Sequence, residues 1–325
     1  MDAKDNHNIL VQPDAVFENP FHIEDLAVFD DATLRRLFDG EPYPCRVSLQ
    51  DLAWSMRGVP KPLTRKIWNN LGWQRRSYFV QELRRRVPAD EVKAARKHVL
   101  DALFWELTYW KTPELYEELT EGEKLHPGIF QQLEPHLRHK TVLDVGAGSG
   151  RATFECLRHG AGLIYAIEPS PGLLRILKQK AARQPAPGRV VVSQGDFSHV
   201  PLEDGSVDIS LSCSAFTAAP EQGGEAGLRE MRRVTKQGGS IVLIWPRRED
   251  YEWLAEHGFS HVTLPVEREM FVEFRSLRSA VRCARLFYGH NEGVIRYILK
   301  RRQPVVPFSV LGMTPPSDYC WLTVK

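Results

Sequence analysis

Three glycines at alternate positions, in Thr141-Val-Leu-Asp-Val-Gly-Ala-Gly-Ser-Gly150, constrain this chain more than any other feature. The run before them is dominated by Val and Leu, the pattern of a strand buried on both faces of a parallel sheet. Gly146, Gly148 and Gly150 then end the strand and remove the Cβ atoms that would keep a ligand off the backbone. A helix predicted to begin near Arg151 turns its free N–H groups toward the same spot. A second apolar strand, Ile164-Tyr-Ala-Ile-Glu168, ends in an acid eighteen residues past the last glycine. A carboxylate so placed accepts two hydrogen bonds from ribose hydroxyls in nucleotide-binding α/β sheets. The expectation is an α/β domain that binds an adenosine-like ligand.

The spacing narrows the ligand. A dinucleotide loop reads G-x-G-x-x-G and offers a helix N-terminus to a pyrophosphate. Here the spacing is G-x-G-x-G, and Asp144 stands two residues before the first glycine. An acid there repels a pyrophosphate but suits a ligand bearing an ammonium group. The pattern closely resembles the first motif of class I S-adenosylmethionine-dependent methyltransferases, and further resemblances follow in that family's order. Val190-Val-Val-Ser-Gln-Gly-Asp196-Phe197 is similar to the third strand and its terminal acid. Residues 201–214 resemble the approach to the fourth strand and its body, and residues 230–245 resemble a helix, a glycine turn and the fifth strand. The resemblance implies a Rossmann-like, doubly wound, seven-stranded sheet with S-adenosyl-L-methionine as cofactor. It implies cofactor contacts at Asp144, Gly146, Ala147, Gly148, Glu168, Pro169, Asp196, Phe197 and Ser212. Asp208, Gly238 and Gly239 are expected to do structural work, and Cys213 to act as a small buried hydrophobe.

At 325 residues the chain has room for two domains, and the methyltransferase-like landmarks lie after about residue 126. With 42% hydrophobic and 26% charged residues it has the composition of a globular protein. A net charge of +2 makes no electrostatic case for nucleic acid or an anionic membrane as partner. No apolar run reaches the ~18 residues of a membrane-spanning helix. Residues 1–15 are polar at the start, lack the apolar core of a signal peptide and are expected to be disordered. The five cysteines (Cys45, Cys156, Cys213, Cys283, Cys320) are scattered without C-x-x-C spacing. That predicts free thiols in a cytoplasmic protein and no metal site.

Residues 16–125 read as an all-α domain. Asp31 and Thr33 start one helix, and Ser48 with Asp51 starts another. One long helical segment is predicted from Leu63 to Arg85, bent at Gly72, and another opens at Pro88 and Asp90. The runs Ile23-Glu-Asp-Leu-Ala-Val-Phe-Asp-Asp31, Ser48-Leu-Gln-Asp-Leu-Ala-Trp-Ser-Met-Arg-Gly58 and Leu63-Thr-Arg-Lys-Ile-Trp-Asn-Asn-Leu71 resemble the C-terminal domain of FliG, the flagellar rotor protein. The likeness covers roughly residues 16–110. It departs at Gln74, Gln81 and Glu82, where that family's motor charges would fall, and at an insertion over residues 40–46. The resemblance therefore implies a protein-docking or substrate-covering module. Most of Trp54, Trp68, Trp73, Trp105 and Trp110 are expected in its core, and residues 120–127 suit a linker. Arg75, Arg76, Arg84, Arg85 and Arg86 read as a solvated helix face, against the alternative of RNA binding.

Residues 126–325 make up the methyltransferase-like domain. The segment after the fourth strand, Ser214-Ala-Phe-Thr217, borders the acceptor in such a family. It lacks the Asn/Asp-Pro-Pro-Tyr/Phe signature that base N-methyltransferases share, so the expected acceptor is a small molecule. Residues 262–266 and 319–324 read as the last two strands. An insertion at about 267–316 is expected to carry helices over 271–287 and 293–302. His199, Tyr288 and His290 are the candidates for acid–base chemistry.

Overall fold

The computed structural model describes residues 19–38 and 47–325, which fall into two units, 19–113 and 114–325. The expectations for residues 1–15, for the 40–46 insertion and for Cys45 lie outside the described residues.

The first unit is helical. Its helices are α1 (Asp31–Phe38), α2 (Leu49–Ser55), α3 (Lys61–Asn69), α4 (Trp73–Arg84), α5 (Ala89–Ala102) and α6 (Phe104–Lys111). Ser48 Oγ caps α2 by accepting from Asp51 N at 2.9 Å. The single segment expected over 63–85 is two helices. Asn70 ends the first because its side chain is drawn to α1, donating to Asp31 (2.8 Å) and accepting from Arg35 (2.9 Å). Arg76 covers the exposed carbonyls of Asn69 and Leu71, both at 2.7 Å. The core consists of Leu26, Phe29, Leu34, Leu52, Ile67, Phe79, Val99 and Leu103. None of the five tryptophans belongs to it, contrary to expectation. Trp54 is half-buried, its N–H donating to the buried Glu82 (3.0 Å), and Trp73 is 78% exposed.

The second unit is a seven-stranded sheet of order β3-β2-β1-β4-β5-β9-β6. The strands are β1 (Thr141–Val145), β2 (Leu163–Glu168), β3 (Val190–Gln194), β4 (Val207–Cys213), β5 (Thr235–Ile244), β6 (Ser260–Thr263) and β9 (Asp318–Thr323). β1 to β5 are parallel, and β9 runs antiparallel between β5 and β6. Side-chain alternation sorts the core into two layers. Val142, Ile164, Ile209 and Val242 face α8 (Pro127–Leu137), α9 (Arg151–Arg158) and α10 (Pro171–Ala182). Leu143, Val145, Ile167, Ile241 and Leu243 face α11 (Gly224–Val234) and α12 (Tyr251–Glu256). Burial on both faces explains the unbroken apolar runs in these strands, each such side chain contributing roughly 1.5–3 kcal/mol.

Two boundaries differ from the sequence reading. Helix α7 (Pro113–Gly122) falls with the second unit from residue 114 on, whereas the expected division was at 125/126 and residues 120–127 were expected to link the domains. The reason is a set of ion pairs described below. The 267–316 insertion is not purely helical either. β7 (Phe271–Glu273) pairs with β8 (Val305–Pro307) as a separate ribbon, and α13 (Leu277–Phe287), α14 (Glu292–Arg301) and α15 (Phe308–Leu311) complete it. The first helix starts at 277 because Ser276 caps it, accepting from Ser279 N at 3.1 Å. No helix among the described residues is long and apolar enough to cross a membrane.

Candidate functional site

Register places the ends of β1, β2, β3, β4 and β5 along one edge of the sheet. Val145 lies opposite Ile167, Glu168 opposite Gln194, and Cys213 opposite Ile244. The glycine loop leaves β1 at this edge and is pinned to β2, Gly146 N and Ala147 N both donating to Ile167 O (2.9 and 3.0 Å). Gly150 has a φ of 98°, and a Cβ there would lie 2.4 Å from the Phe154 ring, so only glycine turns the chain into α9. A Cβ on Gly146 would lie 2.7 Å from Ala215 Cβ and 3.3 Å from the Phe197 ring, which brings the fourth-strand exit and Phe197 to the loop.

Two acids belong to this edge. Glu168 accepts from Gly148 N (2.9 Å) with one oxygen and from Ser170 N (2.8 Å) with the other. Burial pushes its pKa up to about 7, against those two backbone donors. Each oxygen keeps a second lone pair for another donor. Asp144 is fully buried, accepts from Thr153 Oγ1 at 2.5 Å, and has an Oδ1 without a partner. Burial raises its pKa to about 6. Ser212, also buried, has an unpartnered Oγ. Asp196 holds a tight turn, its Oδ1 accepting from Ser198 N at 2.8 Å and Ser198 Oγ at 2.6 Å. Pro169 follows Glu168 and is exposed, its carbonyl accepting from Gln194 (3.2 Å).

Above the loop lies α7, an acidic helix whose carboxylates point two ways. Glu114 and Glu117 pair with Arg175 and Lys180 of α10. Glu118 and Glu121 pair with Arg282 of α13 and with Arg275. Spacings of three and four put all four acids on one helix stripe, the N-terminal pair meeting α10 and the C-terminal pair meeting the insertion, so α7 is tied to both. Just past its end, Glu123 accepts from Arg151 Nη2 (3.1 Å) and from the Tyr288 hydroxyl (2.7 Å). Tyr116 of α7 reaches over Gly148, with 3.8 Å between its ring and the place a Cβ would take. Burial pushes its pKa up to about 12.

Among the acid–base candidates the structure brings only Tyr288 to this edge, buried and with its pKa raised well above the ordinary phenol by burial. His199 is exposed in the turn of Asp196, its backbone N–H donating to Asp196 Oδ1 (3.3 Å), and His290 is exposed after α13. Cys213 is half-buried at the end of β4, its pKa raised by burial to about 11. Asp208 accepts from Thr141 N (2.9 Å) and Lys236 (2.8 Å), tying β4 to the start of β1 and to β5. Sequence reasoning missed Tyr116, Glu123, Arg151 and Trp245 at the site. Only Arg151 carried a local signal, since it follows the last glycine directly. Ser214 and Trp245 have φ values of 59° and 52°, left-handed conformations at the exits of β4 and β5. They are two of the four non-glycine residues with positive φ among the described residues, the others being His139 and Arg302.

Residues 142–239 match the family model of a methyltransferase domain. An uncharacterized methyltransferase of Geobacillus sp. (strain WCH70) is 30% identical over 171 residues, which are 48% of this chain and 77% of that protein. A demethylmenaquinone methyltransferase of Porphyromonas gingivalis is 29% identical over 137 residues (39% of this chain, 55% of the relative). An uncharacterized methyltransferase-like protein of Schizosaccharomyces pombe is 28% identical over 157 residues (48% and 55%). The chain thus spans about half the length of several curated relatives it matches. Among solved structures, an S-adenosylmethionine-dependent methyltransferase of Aquifex aeolicus aligns with a TM-score of 0.38 at 21% identity, over 50% of this chain and 92% of that one.

Proposed function

The chain belongs to the methyltransferase family, and from that premise we propose that it transfers a methyl group to a small-molecule acceptor. The cofactor is S-adenosyl-L-methionine, which when bound supplies an electrophilic methyl on a sulfonium. The residues present suit it. The unpartnered Asp144 Oδ1 and Ser212 Oγ are buried acceptors awaiting donors, and the remaining lone pairs of Glu168 match ribose hydroxyls. Gly146, Ala147, Gly148 and Pro169 would form the backbone cradle, with Phe197 against the adenine and Asp196 near its amino group. The observation that carries the reading is the convergence of Glu168 and Gly148, an acid and a side-chain-free amide, at 2.9 Å on the carboxyl edge of the sheet.

Methyl transfer is an in-line displacement, so the protein's work is alignment and exclusion of water. In this chain α7 and the insertion do the excluding, with Tyr116 over the loop and the ion pairs holding both in place. Tyr288 and Glu123 form a hydrogen-bonded pair that can orient an acceptor and relay a proton from it. His199 and His290 keep exposed positions and serve as controls. Incubation with methyl-labelled cofactor and a panel of hydroxyl, thiol, amine and carboxyl acceptors tests the proposal. Label in one acceptor class supports it, and label in neither small molecules nor protein with cofactor bound removes it.

The helical unit 19–113 we read as a FliG-like docking module for a protein partner. Exposed Trp73, Tyr78 and Trp105 favour this, since large exposed aromatics mark interaction surfaces. Crosslinking of the full chain through a photoreactive group at position 73, with no product beyond the chain itself, counts against it.

A further inference from the structure

Arg151 is a cation held inside the rim of the cofactor edge by a single acid, Glu123. Its side chain is 16% exposed and begins α9 immediately after Gly150. Nη2 donates to Glu123, while Nη1 is buried and has no partner. Its charge acts on Cys213, at the exit of β4, and on Tyr116, above Gly148. On another side its guanidinium lies 5.8 Å from the centre of the Trp245 ring, at the strained exit of β5. These neighbours come from β4, β5 and α7, so the unpartnered N–H is enclosed by the elements that enclose the ligand.

The opposite end of the same loop carries the opposite charge. Asp144, with its own unpartnered oxygen, precedes Gly146, and Arg151 follows Gly150. An acid and a cation flanking one glycine loop form the complement of a zwitterion whose ammonium and carboxylate share one carbon. Leaving a guanidinium N–H dry and unpaired is costly, and a carboxylate is the acceptor that best repays it.

We propose that Arg151 Nη1 receives the carboxylate of the cofactor's amino-acid end, with Glu123 and Tyr288 holding the other side of the guanidinium in place. This rests on the methyltransferase reading and adds a cofactor-positioning residue to it. It also makes α7 part of cofactor recognition, because Glu123 lies one residue beyond that helix. Glu123 sets the orientation of Arg151 and partly neutralises it, so the affinity for a second anion is tempered.

Calorimetric titration of the full chain with S-adenosylmethionine and with decarboxylated S-adenosylmethionine tests this without any turnover. The wild type is expected to prefer the carboxylated ligand by about 10–100-fold, the range of one charge-assisted hydrogen bond. Arg151→Gln is expected to abolish that preference while changing the affinity for the decarboxylated ligand by no more than about threefold. Glu123→Gln, which leaves the guanidinium in place without its acid, is expected to keep the preference or enlarge it. A preference that survives Arg151→Gln overturns the proposal and leaves the guanidinium for an acceptor's acid. Loss of the preference in Glu123→Gln, or equal loss of both ligands in Arg151→Gln, overturns it in favour of a structural role. Wild-type protein that binds neither ligand would instead strike the methyltransferase reading itself, so the two failures are distinguishable.

Discussion

Glu168→Gln is expected to stabilise the cofactor-free protein at pH 8 and weaken its cofactor binding, two effects of opposite sign from one cause. Glu168 is 5% exposed, and burial raises its pKa from 4.5 to about 7. A carboxylate whose folded pKa is raised contributes stability below its unfolded pKa. That contribution is lost as pH rises through the folded value. With 1.36 kcal/mol per unit, the wild type at pH 8 has forfeited about 3 kcal/mol relative to pH 4. Glutamine does not titrate. Its NH2 cannot accept, however, so one of the two backbone N–H groups of Gly148 and Ser170, which the two carboxyl oxygens serve in the wild type, loses its acceptor at a cost of roughly 1–3 kcal/mol. The variant should therefore fall roughly 1–3 kcal/mol below the wild type near pH 4 and exceed it by up to about 2 kcal/mol at pH 8, at most roughly 4–8 °C in melting temperature. A bound ribose loses one of two hydrogen bonds to charge, so affinity should fall about 10–100-fold. Thermal melts at pH 4 and pH 8, with and without S-adenosylhomocysteine, read both effects. A variant less stable than the wild type at pH 8, or one stabilised as strongly by the ligand as the wild type is, refutes the reasoning.

Three further outcomes follow from the same geometry. Gly150→Ala meets the Phe154 ring at 2.4 Å and a φ of 98°, so it should destabilise by more than about 2 kcal/mol. Denaturant unfolding checks this, and a loss under 0.5 kcal/mol contradicts it. Thr153→Val removes the hydroxyl that serves Asp144 and should push that acid's pKa further above about 6. The stability cost, roughly 1.5–3 kcal/mol, should then be expressed at pH 8 and shrink at pH 5, where Asp144 is mostly protonated. Equal losses at the two pH values would count against the assignment. Replacing Glu114, Glu117, Glu118 and Glu121 together by Gln unties α7 from α10 and α13. At up to about 0.5 kcal/mol for each partly exposed pair, amide exchange over 113–122 should speed up roughly 30-fold with the sheet unaffected, and unchanged exchange would deny the helix its electrostatic tether.

The sheet was legible because its signals are local. Val142 and Leu143, the glycine loop and the acid of Glu168 encode strand, turn and the next strand's end within one stretch of chain, and the packing of neighbouring residues on opposite faces follows from period two. The placement of α7 was not legible, since its acids acquire meaning only from Arg175, Lys180, Arg275 and Arg282, distant in sequence. For the same reason Glu123 and Tyr288, 165 residues apart, could not be paired in advance. The tryptophans of the first unit misled through their bulk, because Leu and Phe already fill its core and the indole N–H of Trp54 needs a wet or polar neighbour. Strand β7 was read as helix because three residues carry too little periodicity to separate the two states.

The central claim is that the carboxyl edge of the sheet, between Asp144 and Glu168, is the cofactor site. Its most direct test is calorimetric titration of S-adenosylhomocysteine into the full chain and into the Asp144→Ala/Glu168→Ala double variant. The account predicts one site per chain in the wild type and affinity lowered by roughly 700-fold in the variant, the sum of two charge-assisted losses of roughly 2 kcal/mol each. Absent binding in the wild type, or undiminished binding in a folded double variant, would contradict it.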